Sequence, residues 1–220
     1  MGYIMADIFD EVSEELKQDQ LIQLWKKYSK YIITLFVLLV LSVLTYQAYM
    51  IWNEKKLTAS SEQFFSGLEK LDNKDFEKSA EIFLKSSLDQ KDGYRVLSIF
   101  GLAHSNFENG KISEMVSNYQ TIYEDKTIGN YYQGLARILS VMKDNKSNFN
   151  ELQGRLKPIL NSPSKLQLLA AELQIVLFIR FNKLDKALSS IKSLLARSDI
   201  SQEQKNRLSL IDKVYNSHAK

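Results

Sequence analysis

Histidine is the side chain best suited to moving protons near neutral pH, and the sequence holds two, His104 and His218. Neither sits in a pattern that does chemistry. There is no His-Glu-x-x-His pair for zinc and no Gly-x-Ser-x-Gly turn to expose a nucleophile. The phosphate-cradling patterns G-x-x-x-x-G-K-[ST] and G-x-G-x-x-G are absent too. The glycines of GNYYQG (129–134) fall inside a helical pattern and do not read as a phosphate loop. With no cysteine, the chain has no thiolate nucleophile, disulfide or sulfur-ligated metal. The expectation is a non-enzyme with no catalytic, cofactor-binding or metal-binding residues. An enzyme with an unrecognised site stays open as a rival reading, to be supported by clustered titratable groups.

Binding, rather than catalysis, is what the remaining residues suit. The net charge is +3, with lysines spread among glutamates. Nucleic-acid binders concentrate basic residues in a stripe, and none is visible, so neither a nucleic acid nor a small-molecule substrate is expected.

The elements that carry these residues begin with YIITLFVLLVLSVLTYQAYMIW (31–52), which contains no charge although a quarter of the chain is charged. About 20 apolar helical residues cross a bilayer core of roughly 30 Å. Thr34, Ser42 and Thr45 can bond back to carbonyls of their own helix. Trp25, Tyr28 and Tyr31 before the run, and Tyr46, Tyr49 and Trp52 after it, form the aromatic belts of a membrane interface. A cleaved signal has a shorter apolar stretch and a small-residue site, and bulky residues fill 49–52. The reading is a single transmembrane helix in contact with the lipid bilayer through residues 31–52. Lys26, Lys27 and Lys30 before it outnumber Lys55 and Lys56 after it, a bias toward a cytoplasmic N-terminus.

Residues 1–30 form a leader with six acids and four bases. From Met5 its apolar residues Ile8, Val12, Leu16, Leu21, Leu24, Trp25 and Tyr28 recur at helical spacing. It is either a membrane-surface helix that sets the anchor's angle or a docking helix for a membrane partner. Residues 53–220 are long enough for one domain with its own core. Their periodicity is helical throughout, with pieces of 12–20 residues between polar breaks and no alternating strand. Ser162-Pro163 reads as an N-cap and first helical proline, and Ser201 with Gln204 as a capping box.

Four segments align: 72–83, 108–119, 143–156 and 180–191. Each has a polar turn, then a large residue (Phe76, Ile112, Phe149, Leu184), spaced by 36, 37 and 35 positions. Three residues on stand Ser79, Met115, Leu152 and Ala187, and four further Phe83, Tyr119, Leu156 and Ile191. A constant period of this size marks stacked helical hairpins. With small Gly67 and Ala103 nine residues before Phe76 and Ile112, the pattern resembles the tetratricopeptide repeat (TPR) family. It departs from it in lacking the family's tryptophan and closing proline, in Ser140 and Ile175 at the small site, and in a period above 34. The expected fold is all-α: one transmembrane helix, then a TPR-like α-solenoid of about four hairpins, capped by a helix over 202–216.

In that register the first helices point a concave groove at a partner. Its lining would be Phe64, Leu68, Phe100, His104, Phe107, Arg137, Val141, Glu172, Val176 and Arg180. Aromatic patches rimmed by charge suit apolar segments of other proteins. Phe64, Phe100 and Phe107 fit an inter-helix core equally well. The stretch 165–181, apolar nearly all round, reads as a buried central helix or a self-association face.

The leader IFDEVSEELKQDQLIQLWKKYSKYI, a span ending YQAYMIWNEKK and degenerate repeats together resemble the YfgM-type membrane-anchored TPR-like proteins of Gram-negative bacteria. The resemblance implies an inner-membrane protein whose periplasmic repeat domain is an ancillary subunit of the Sec translocon. Its implied partners are Sec channel subunits, a periplasmic chaperone and exported clients. Two other readings compete: an envelope assembly adaptor unrelated to Sec, and a regulator acting through its cytoplasmic leader.

Overall fold

The computed structural model describes residues 3–89 and 93–218, with side chains over 22–88 and 93–215. The described residues form nine α-helices and no strand. The leader's apolar and acidic pattern over residues 1–21 lies outside the described side chains.

The chain divides into two compact units, at Thr58. The first consists of most of α1 (Tyr3–Asp72), which runs unbroken through the expected boundaries at 30/31 and 52/53. Its apolar stretch is bare. Tyr31, Leu35 and Phe36 are each about two-thirds or more exposed, and nothing in the unit covers the window. It is one helix long and apolar enough to cross a membrane, near the N-terminus. The three hydroxyls in the stretch turn inward, as their types allow: Thr34 donates to the Lys30 carbonyl, Ser42 to Leu39 and Thr45 to Leu41, each at 2.8 Å. Each hydroxyl therefore has a partner without water, the condition for sitting in hydrocarbon. Lys27 lies over the Tyr28 ring and Lys56 over Trp52, so basic and aromatic residues pair at both ends.

The second unit holds the end of α1 and helices α2 (Phe76–Asp89), α3 (Gly93–Glu108), α4 (Ile112–Glu124), α5 (Asn130–Lys143), α6 (Phe149–Leu160), α7 (Gln167–Arg180), α8 (Leu184–Leu195) and α9 (Gln202–His218). Each helix from α2 onward packs on the next, and α5 also touches α7. Successive neighbours thus do nearly all the packing, as in a stack of hairpins. The four aligned residues Phe76, Ile112, Phe149 and Leu184 are each the first residue of a hairpin's second helix. The residues three positions on are at most 1% exposed, and those four further at most 2%.

Three of the four hairpin turns share one geometry. A residue with positive φ stands two places before the second helix: Lys74 (60°), Gly110 (73°) and Asn182 (55°). The following N–H bonds back five residues, from Asp75 to the Lys70 carbonyl, Lys111 to Asn106 and Lys183 to Phe178. This left-handed closure satisfies the last carbonyls of the first helix. The α5–α6 turn is longer and differs. There Asp144, at the end of α5, accepts from the N–H groups of Lys146 and Ser147, and Asn148 caps α6 by accepting from Glu151 N–H.

The core is serial. One cluster joins Ile99, Ala103, Met115, Tyr119 and Ile122 of α3 and α4 to Ala136 of α5. A second spans α5 to α7 around Ile138, Leu152 and Leu156, and a third spans α7 to α9 around Ile175, Ile191 and Leu208. Phe149 packs against the second and the third. At the start of the stack small residues replace bulky ones. Ser79 donates to the Gly67 carbonyl and pairs with Ser105, and Ser86 pairs with Ser98. Between the serine pairs the Phe83 ring fills the space beside Gly67 and Gly101.

Two local expectations resolve differently. Ser201 and Gln204 form the capping box, each backbone N–H bonded to the other's side chain. Ser162-Pro163 does not start a helix. α7 begins at Gln167, because Ser164 takes the turn: its hydroxyl accepts from Leu166 N–H and its carbonyl from Gln167 N–H. Within 165–181, α7 buries Ala170, Ile175, Leu177 and Phe178 but leaves Leu169 and Val176 more than 40% exposed, so it is covered on one side only.

Candidate interaction surface

The first helices of the hairpins carry every residue expected to line the groove, and the structure sorts those residues into separate environments. At the start of the stack Phe64 is half-buried, its ring centre 5.7 Å from those of Phe65, Phe83 and Tyr94. Leu68, one turn on, is half-buried as well. Phe100 packs against the first core cluster, 5.9 Å from the Tyr119 ring. Both phenylalanines serve mainly as inter-helix packing.

Val141 is 1% exposed and belongs to the core with Leu152 and Leu156. It therefore presents nothing to a groove. α5 buries two adjacent positions, Ser140 and Val141, because α6 and α7 cover its end together. Glu172 is engaged elsewhere. Its carboxylate accepts from Gln204 at 2.7 Å and from Arg207 at 2.9 Å, tying α9 to α7.

His104 and Phe107 do come together, around a residue the sequence pattern did not single out. Lys143, the last residue of α5, lies 3.8 Å from the Phe107 ring centre and 3.4 Å from His104 Nδ1. Glu108 lies 3.8 Å from the same nitrogen. Burial and the Lys143 charge push the His104 pKa below its ordinary value, against the pull of Glu108. The imidazole is thus held neutral at pH 7, and its Nδ1 accepts from the lysine, which can only donate.

The next residue, Asp144, extends this cluster to α7. Arg180, exposed, donates to its carbonyl at 2.9 Å, and Arg155 bonds its carboxylate at 2.8 Å. The Asp144 side chain is 1% exposed. Burial opposes its charge, but the donors of Ser147, Arg155 and Lys146 outweigh that and hold its pKa at about 2. An analogous carboxylate, Asp125, ends α4. The hydroxyl and N–H of Thr127, with Arg95, bring its pKa to about 2. These two aspartates are structural staples at the hairpin junctions, and no spacing rule marks them in the sequence.

Arg137 stands apart, at the middle of α5. Its guanidinium stacks 4.1 Å above the Tyr123 ring, and burial pushes its pKa below the ordinary arginine value. Val176 is 48% exposed on α7. Exposed aromatic edges, cations and a neutral imidazole can hold another protein's chain. They do not form a nucleophile–base–acid array, and among the described residues no three metal-capable side chains gather.

Stacked helical hairpins with serial cores define a helical-repeat interaction protein. The chain belongs to the tetratricopeptide repeat-like domain family, whose model matches residues 23–189 and so takes in the apolar stretch, the first three hairpins, α7 and the first half of α8. Domains of this family mediate protein–protein interactions and are generally non-catalytic. No curated protein and no solved structure matches the chain.

Proposed function

We propose that this chain is a membrane-anchored scaffold that brings proteins together at the bacterial inner membrane. Residues 31–52 cross the bilayer, residues 1–30 lie in the cytoplasm, and residues 53–220 form the interaction domain in the periplasm. One observation carries this reading: a bare apolar helical stretch and a TPR-like hairpin stack share one chain. A bare stretch of this length needs lipid or another protein to cover it. The lysine bias around it favours the stated orientation.

The finer reading rests on the resemblance to YfgM-type proteins. In it the protein is an ancillary Sec subunit that helps pass exported chains to periplasmic chaperones. Anchoring a binding surface beside the exit raises its effective concentration for emerging segments, so weak contacts suffice. The surface most available for them joins His104, Phe107, Val176 and Arg180, exposed or half-exposed residues of the expected groove, with Lys143, which lies outside that expectation. Lysine and arginine there favour segments that carry acid among apolar residues.

In-cell photo-crosslinking of the full chain tests both levels, with photoreactive residues at Ile22 and at Val176, both exposed. Sec channel subunits at Ile22, with exported proteins or a chaperone at Val176, are the expected products. Cytoplasmic proteins at Val176 would overturn the orientation. One unrelated envelope protein at Val176, with no Sec subunit at either position, would replace the translocon reading by that of an assembly adaptor.

A further inference from the structure

A cavity of about 820 Å³ in the repeat unit lies where the start of α5 meets the end of α6 and the 161–166 turn. Its size is that of sites which enclose ligands of several hundred daltons. Apolar walls come from Tyr131, Pro158, Ile159, Pro163 and Leu166. Arg137 and Lys165 line it as well, and no acidic residue does.

Arg137 gives the cavity its chemistry. A half-buried guanidinium is ordinarily paired with a carboxylate, because burial penalises an unpaired charge. Among the described residues no carboxylate lies within ion-pair distance of Arg137. Glu124 acts on it only from further away. Its contacts are the Tyr123 ring and a long 3.5 Å bond to the Tyr123 carbonyl, which leave most of its five donors unspent. The other half-buried arginines of the unit are treated differently: Arg95, Arg155 and Arg197 each grip an aspartate at 2.9 Å or less. The start of α5 adds to the same field. Its N-cap is Gly129, which brings no side-chain oxygen to the first N–H groups, and Asn130 and Tyr131 line the cavity. The positive end of that helix thus lies beside the same space.

We propose that this cavity binds a short extended peptide that presents a carboxylate to Arg137, with apolar side chains against Tyr131, Pro158 and Leu166. The carboxylate is either a chain terminus or an aspartate or glutamate side chain. The inference rests on the scaffold reading and names a ligand class for it. It uses a site separate from the Lys143 cluster.

The test is affinity selection by the full chain in detergent from random hexapeptides. One library has free C-termini and the other amidated C-termini. Bound peptides are identified by mass spectrometry. The wild type is expected to enrich acidic peptides, or free over amidated termini, which tells the two sources of the carboxylate apart. Arg137→Gln should weaken the selected peptides by about tenfold or more, the scale of a lost charged hydrogen bond. Lys165→Glu, at an exposed position that leaves the fold intact, should reverse the preference for acid. Absence of enrichment, or enrichment that is unchanged in both variants, would overturn the proposal. Crosslinked partners at Val176 together with no peptide selection would remove the cavity's role alone and leave the scaffold standing.

Discussion

Gly101→Ala sets two known effects against each other. On an open helix the change stabilises by up to about 1 kcal/mol, because glycine is the poorer helix former. At Gly101 the new Cβ would lie 2.6 Å from Phe83 Cζ and 2.7 Å from both Cε atoms. Carbon atoms at rest stay about 3.5 Å or more apart, so the ring or a helix must shift by nearly an ångström. The ring has little freedom, since it is fully buried and a Cβ at Gly67 on α1 would meet the same ring at 2.7 Å. Overpacking of this kind costs about 1–3 kcal/mol, so it outweighs the propensity gain. The net loss is about 0.5–2 kcal/mol, a Tm lower by roughly 1–8 °C for a chain of this size. Thermal unfolding of the full chain in detergent, followed by circular dichroism, reads it. Phe83→Leu should cost less in the Gly101→Ala background than alone, because it relieves the clash. Gly154→Ala is the control. A Cβ there meets nothing within 4 Å on the exposed side of α6, and it should raise stability by about 0.5–1 kcal/mol. A Tm for Gly101→Ala at or above the wild-type value would refute the close packing of α2 on α3.

Two further outcomes follow from the carboxylates. Asp144→Asn should cost about 2–4 kcal/mol at pH 7, because it leaves Arg155 half-paired in a buried place. The Asp144 pKa falls from 3.8 to about 2 on folding, so its contribution is complete above about pH 4 and is lost as pH drops through about 2. Denaturant unfolding at a series of pH values should show the gap between wild type and Asp144→Asn closing over that window, and a constant gap would rule out the paired carboxylate. Glu172→Gln should loosen α9 only, by about 0.5–1 kcal/mol, since Arg207 is largely exposed. Hydrogen exchange in α9 should then speed up about two- to fivefold while α3 and α4 stay unchanged. Unaltered exchange in α9 would show that Glu172 does not hold the cap.

What the sequence determined by itself is local or periodic. The helices, the four hairpins and the large residue that follows each hairpin's polar turn were legible, because helical periodicity and turn composition act over a few neighbouring residues. The aligned positions behind Phe76, Ile112, Phe149 and Leu184 were legible as core for the same reason. So was the apolar run, whose length and lack of charge need no partner to be read. The candidate surface was less legible. One position along a helix rotates a side chain by about 100°, and each hairpin helix in a stack meets neighbours on more than one side. Val141 therefore went to the core, and Glu172 went to α9, which lies 32–35 residues further along the chain. Lys143 and Asp144 read as a polar break and became the joint between α3, α5, α6 and α7. Gly101 carries no sequence mark that separates it from any other helical glycine. Only the Phe83 ring from another helix gives its missing Cβ a purpose. Contacts between residues far apart in the chain depend on how whole helices settle against one another, and that settling is decided by the summed packing of the stack.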